Sequence, residues 1–277
     1  MKVPACCLAV SLWLCAALPA GAADLGAAIP GHAGLTYFAL MKRVVTDLVP
    51  GGKDGAVGHQ VIAFRHIDGK DAKGDPPETI TLPSVDVMNI PGDDDRIILL
   101  ADLGRSEGFV ANAQLLALFA LAPAPRLLDV VEVVTDRLTG FLDQKPMMLA
   151  PRTPLILVYN SHSNSDQSYE NTKMIFIRGD RFQQIDDVFA LGDAGCSYRR
   201  TQEASFAALP VPGRYNAFRV SVEERVALTG EDCGEEKPPR PHVARYEAIY
   251  RWDERREKFT TQSTQLDRLA KQNAKRL

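Results

Sequence analysis

The chain has 277 residues, 45% of them apolar, with 32 basic residues against 35 acidic ones and a formal net charge of −3. That length can bury a sizeable core, while the slight acidic excess lacks the basic footprint of a nucleic-acid binder. No run beyond the N-terminal region approaches the roughly 20 apolar residues of a membrane helix.

The chain opens "MKVPACCLAVSLWLCAALPAGAADLG": Lys2, then an uncharged apolar stretch from Ala5 to Leu18, then small residues at Ala20, Ala22 and Ala23. This is the pattern of a secretory leader over residues 1–23. The expectation is therefore an exported soluble protein, periplasmic or secreted, with residues 24–277 forming a single β-rich domain. Three of the five cysteines fall in the leader. The remaining two, Cys196 and Cys233, are expected to pair as one disulfide in an oxidising compartment.

"AGLTYFALMKRVVTDLVPGG" places Leu35, Phe38, Met41, Val44 or Val45, and Leu48 at helical spacing before Pro50, Gly51 and Gly52, which predicts an amphipathic N-terminal helix. From His59 the texture changes to short β-prone runs, "HQVIAFRHI", "ETITL", "SVDVMNI" and "DRIILLADL", separated by Gly, Pro and Asp clusters that read as strand connections.

Ser106 then sits in "GRSEG", a G-x-S-x-G match. If "FVANAQLLALFAL" is a helix, the match is a hydrolase elbow in an α/β fold. His162 or His242 would then be the base, and Asp129, Asp136 or Asp187 the acid. If it is a strand, "GRSEG" is only a polar turn. The second reading is preferred, because "AQLLALFAL", "APAP" and "RLLDVVEVV" look like two strands about a proline turn, with Leu128, Val130 and Val134 sharing a face.

The segment "VYNSHSNSDQSYENTKMIF" interposes about a dozen polar residues, Asn160 to Thr172, between two strand-like runs. Long polar connections are disproportionately functional, so His162, Asn164, Asp166, Gln167 and Tyr169 are the candidate contacts for a small polar ligand. A self-bonded Asx-turn loop or a flexible tip are the competing readings. Gly179-Asp180, in "KMIFIRGDRFQQID", predicts a hairpin with a type II′ turn. In "VARYEAIYRWDERREKF", Ala244, Tyr246, Ala248, Tyr250 and Trp252 share one strand face. "STQLDRLAKQNAKRL" predicts a closing helix with Ser263 as cap and Leu266, Leu269 and Ala270 as a narrow apolar stripe.

The five histidines, His32, His59, His66, His162 and His242, show no zinc-ligand spacing, and the acidic runs at 68–75 and 93–95 do not follow a calcium-loop pattern. No metal and no cofactor is expected. The sequence thus predicts a mainly β fold of antiparallel hairpins with a helix near each end. Its expected role is non-catalytic binding or structural support, directed at a small polar ligand or an envelope component, with serine hydrolysis at Ser106 as the alternative.

Overall fold

The computed structural model describes residues 22–52, 55–69, 76–105, 112–133, 138–142, 145–164, 166–230 and 238–277. Within them the chain is mainly β and almost wholly antiparallel, with one helix near each end. A first sheet runs β1 (Ala22–Asp24), β6 (Ser84–Ile90), β7 (Asp93–Arg105), β8 (Asn112–Ala120), β9 (Arg126–Glu132) and β4 (Arg65–His66), of which only β4 and β9 pair in parallel. A small sheet is made of β2 (Val49–Pro50), β3 (Ala56–Gly58) and β5 (Ile80–Leu82). The largest sheet runs β10 (Leu138–Phe141), β12 (Thr153–Ser163), β13 (Gln167–Arg178), β14 (Arg181–Ala194), β15 (Tyr198–Leu209), β16 (Ala217–Leu228), β17 (His242–Asp253) and β18 (Lys258–Thr260), with β11 (Met147–Ala150) also on β12.

Strand alternation builds these sheets into layers, since successive side chains point to opposite faces. In β7, Ile97, Leu99, Ala101 and Leu103 join the core beneath α1 (Tyr37–Met41) and the small sheet, while Ile98 and Leu100 meet the largest sheet. On the facing side, Ile156, Val158, Ile175 and Ile177 complete that interface. Their neighbours Leu155, Leu157, Met174 and Phe176 turn the other way, into a third core shared with β16, β17, β18 and helix α2 (Gln265–Asn273). The largest sheet therefore folds back on itself, and Phe218 stacks on Tyr250 inside it at 5.0 Å.

Charged groups tie the first sheet to the largest one. Asp129, with 10% of its side chain exposed, accepts hydrogen bonds from Arg65 at 2.9 Å and from the Phe182 backbone N–H at 2.7 Å. Asp93, whose side chain is fully buried, is held by Arg96 at 2.7 Å and Arg152 at 2.8 Å. Of the acidic run at 93–95, then, the first member anchors arginines.

The strand at 112–120 follows the preferred reading, and Arg105 pairs with Asn112 across an antiparallel hairpin. The N-terminal helix is shorter than its periodicity suggests. Thr36 caps it, accepting from Ala39 N at 3.2 Å, but it stops at Met41 because Val45 bridges to Val61 and Thr46 N bonds to Gln60 O, drawing the β-branched stretch into extended pairing. "HQVIAFRHI" contributes only that bridge and the two residues of β4.

Leu128 does not share a face with Val130. A bulge opposite Leu118 and Phe119 inserts Leu128 as an extra residue, sending it toward the largest sheet while Val130 faces the first core; Val134 lies outside the described residues. The Gly179-Asp180 hairpin forms, but φ is +54° and +60° at the two residues. Positive values at both positions make the turn type I′, because aspartate tolerates the left-handed region that type II′ reserves for its first residue alone. Ala248 and Tyr250 are buried, and Tyr246 and Trp252 pack beside them, on the expected face of β17.

Removing the Asp129 carboxylate leaves Arg65 and the Phe182 N–H without their shared acceptor. Asp129→Ala is therefore expected to lower stability by about 3 kcal/mol, read as a fall in the urea midpoint at unchanged m-value.

Candidate binding site where two strands part

Asn160 to Thr172 is mostly not a loop. The β12–β13 ladder continues through it, pairing Asn160 with Asn171, His162 with Tyr169 and Ser163 with Ser168, so that residues 164–166 alone make the connection. Backbone pairing does not require apolar side chains, and β14 continues alongside to pair Gln167 with Asp193. At the tip, Asn164 Oδ1 accepts from the N–H groups of Asp166 and Gln167 at 3.0 and 2.8 Å, and Asn164 N bonds to Gln167 O. The Asx turn is thus realised, in miniature.

The five candidate residues do not converge on one point. His162 stacks on Tyr169 with ring centroids 5.6 Å apart, and Tyr169 lies 5.5 Å from Phe189. Asn164, Asp166 and Gln167 instead border a shallower hollow against Asp193, Ala194 and Tyr198. Asp166 O accepts from Ala194 N at 2.9 Å, and Gln167 Nε2 donates to the Arg276 carbonyl at 2.8 Å. The tip is therefore anchored to β14 and to the C-terminal segment.

What shapes this region is the parting of β14 from β15. They pair only at Asp193–Arg200 and Ala194–Arg199 and then separate, whereas β15 continues along β16 for its whole length. Backbone groups of β14 that lose a strand partner in the interior need another, and amide side chains supply it. Gln202 Oε1 accepts from Leu191 N at 2.8 Å, and Asn273 Nδ2 donates to Phe189 O at 3.2 Å. Gln202 and Asn273 also bond to each other reciprocally, at 2.7 and 3.0 Å.

Helix α2 thereby closes the seam between β14 and β17, packing on both. On β17, Glu247 N donates to Gln265 Oε1 and Glu247 O accepts from Ser263 Oγ at 2.6 Å. Ser263 Oγ also accepts from Gln265 N at 3.3 Å, but the N-cap position is Thr264, which makes no side-chain cap bond, so Ser263 sits one residue before the place expected of it and ties the helix start to β17 instead. Farther along, Tyr250 O–H donates to Asp186 at 2.6 Å.

Glu224, 1% exposed, is the charged centre of the cluster. It accepts from Gln202 Nε2, from His242 Nε2 at 3.0 Å and from Arg276 at 2.8 Å. Burial pushes its carboxyl up, but the bonds from Gln202, His242 and Arg276 outweigh that and hold it below the ordinary glutamate value. Beside it, Arg200 grips Asp193 at 2.7 Å, and Tyr198 O–H donates to the same carboxylate. His242 presents Nδ1 to the Arg240 carbonyl at 2.8 Å and Nε2 to Glu224. Both acceptors favour an N–H, so the imidazole is held above its usual value, by the carbonyl first and the carboxylate second.

The sequence reading placed none of Gln202, Glu224 and Asn273 in a site, and His242 only as a hydrolase base. One signal was available: Asn273 continues the buried stripe of Leu266 and Leu269, where an amide must have a partner.

On the side bounded by the β12–β13 ladder, the parting strands leave an open cleft of about 640 Å³. Ser161–Ser163, Ser168–Glu170, Ala190, Gly192, Thr201–Ala204 and Leu142 line it, so that His162 and Tyr169 border this cleft and the other three candidates do not. Its volume suits a small molecule, and its lining mixes hydroxyl, amide and carboxylate residues with the apolar Leu142, Ala190 and Ala204 and the aromatic Tyr169. Among the described residues no group of three His, Cys, Asp or Glu is placed to hold a metal ion.

Three of the earlier candidates fall outside the described residues, Ser106, Asp136 and Cys233. Cys196 lies within them. Its carbonyl accepts from Thr229 Oγ1 at 2.7 Å, and Thr229 N bonds to Ser197 O, so the chain passes Cys196 shortly before it reaches position 233.

Asn273→Ala strips partners from Phe189 O and Gln202 together and should cost about 3 kcal/mol in chemical denaturation, whereas Arg268→Ala, on the exposed face of α2, should cost no more than about 0.5 kcal/mol.

The cluster also makes stability depend on pH in two directions. His242 has a raised folded value, so its contribution is complete below its ordinary 6.5 and is lost as pH rises through the folded value. Glu224 has a lowered one, so its contribution is complete above 4.5 and is lost as pH falls through the folded value. Melting temperature measured across pH should show both declines; His242→Gln should flatten the alkaline one and, because His242 is one of three donors to Glu224, soften the acid one only in part, with Gln202 and Arg276 still in place.

No family model matches the sequence, and no curated protein or solved structure is similar enough to match it, so the reading of this site rests on its own geometry.

Proposed function

We infer that the protein is an exported, non-catalytic binding protein whose ligand is small and polar and occupies the cleft between β14 and β15. The observation that carries this reading is the cleft itself: about 640 Å³, lined by polar residues among apolar ones and set in strands whose positions are fixed by the buried network behind them. A site on rigid strands holds its groups with less spread than one on a loop. The antiparallel pairing of Arg105 with Asn112 weighs against the alternative, serine hydrolysis at Ser106, because an elbow needs a helix after the serine.

Export follows from the leader pattern, with cleavage after Ala22 or Ala23 and residence in the periplasm or outside the cell. A bond between Cys196 and Cys233 accords with that compartment and with the contact between Thr229 and Cys196. It would pin the segment that follows β16 to the start of β15. The single β-rich domain from residue 24 onward is likewise part of this reading, supported by the core that the first and largest sheets share.

Filling the cleft tests the function. A Cβ on Gly192 would lie 2.7 Å from Ser168 Oγ, a hydroxyl that can rotate aside, so Gly192→Leu occupies ligand space at modest structural cost. In a thermal-shift panel of small polar compounds, those that raise the wild-type melting temperature should leave Gly192→Leu unmoved. Compounds that stabilise both proteins equally would place the site elsewhere. A fluorophosphonate probe should leave the protein unlabelled; stoichiometric labelling lost in Ser106→Ala would establish the hydrolase reading instead.

A further inference from the structure

Resting on the cleft being the binding site, we propose that its ligand is a small protonated amine. The lining residues include Glu170 and the more exposed Glu203, the hydroxyl residues Ser161, Ser163, Ser168 and Thr201, and no lysine or arginine. Glu170 is half-buried and accepts one bond, from Thr172 Oγ1 at 3.1 Å; among the described residues neither it nor Glu203 has a cationic side chain in ion-pair contact. The contrast with the adjoining cluster is direct. There Asp193 is matched by Arg200, and Glu224 by Arg276 and His242.

A half-buried carboxylate without a counter-cation favours a ligand that brings one. An ammonium group supplies up to three donors, and the surrounding hydroxyl oxygens can accept those that the carboxylates do not. β15 adds backbone, since from Thr201 onward its second edge has no strand partner among the described residues. Anionic ligands meet the opposite condition. A phosphate or carboxylate would approach two negative groups with no lysine or arginine in the wall to offset them, which costs rather than stabilises.

Calorimetric titration of the purified protein with spermidine, glucosamine, glucose, inorganic phosphate and calcium chloride tests this. Spermidine, glucosamine or both should bind, and which of them does so separates a polyamine from an amino sugar. Glucose should bind at least about tenfold more weakly than glucosamine if the ammonium is what the cleft reads. Phosphate should not bind. Raising the ionic strength should weaken the amine, and Glu170→Gln with Glu203→Gln should weaken it by about tenfold or more at an unchanged melting temperature.

Glucose, phosphate or calcium binding in preference to both amines, and lost in Gly192→Leu, would overturn the amine assignment while leaving the cleft as the site. Amine binding unchanged in Gly192→Leu and in the double glutamine variant would overturn the placement in this cleft. Absence of binding by both amines overturns the proposal itself, and the thermal-shift panel decides separately whether the cleft binds anything else.

Discussion

Strands β14 and β15 share only two residue pairs, and much of the molecule is arranged around what that shortness leaves undone. A strand in the interior of a sheet satisfies its backbone through neighbours on both sides. β14 has β13 along its length on one side. On the other, Leu191 N and Phe189 O are met by the side chains of Gln202 and Asn273. Buried amides of this kind are stabilising when every group is paired and costly when one is not. Here the amides bond to each other, to the strand and to a buried carboxylate, and the last of the set comes from the C-terminal helix. The helix is thus a structural member of the sheet: apolar through Leu266 and Leu269, and hydrogen-bonding through Asn273 and Gln265.

The same parting of strands makes the cleft. Were β15 to continue along β14, Thr201–Ala204 would lie in a ladder beside Ala190 and Gly192; because it turns away, both strands present their edges and side chains to a space about the size of a small molecule. Fold and candidate site therefore share one cause. The charged cluster behind the cleft positions its walls and has its carboxylates matched by cations, whereas Glu170 and Glu203 in the cleft lining are not matched in that way among the described residues.

The layered β architecture was legible because it rests on alternation. "DRIILLADL" divides its residues between two cores, and "YEAIYRW" puts two tyrosines and a tryptophan on one face. Local chemistry also marked the Gly179-Asp180 hairpin, though not its turn type, since aspartate accepts either sign of φ and takes the positive one here. The polar extension of β12 and β13 was not legible. Ser, Asn, Asp and Thr are the residues of turns, and only the ladder to β14 keeps them in strands. The extra residue at Leu128 was equally silent, because a bulge depends on the partner strand. In the site, composition drew attention to His162 and Tyr169, which border the cleft. The carboxylate and amides that organise it lie far apart in sequence, on β15, β16 and α2, and only topology brings them together.

The dependence of the seam on the amide network can be read at one atom. Hydrogen exchange of the Leu191 amide, compared between wild type and Asn273→Ala, reports whether the Gln202 acceptor stays in place once its helix partner is gone. The account predicts that Leu191 loses protection together with the amides of α2, while Ile98 and Leu116 in the first sheet keep theirs. Faster exchange in α2 with Leu191 unchanged would contradict it, showing that β14 is held by β13 alone and that the helix lies on the seam without closing it.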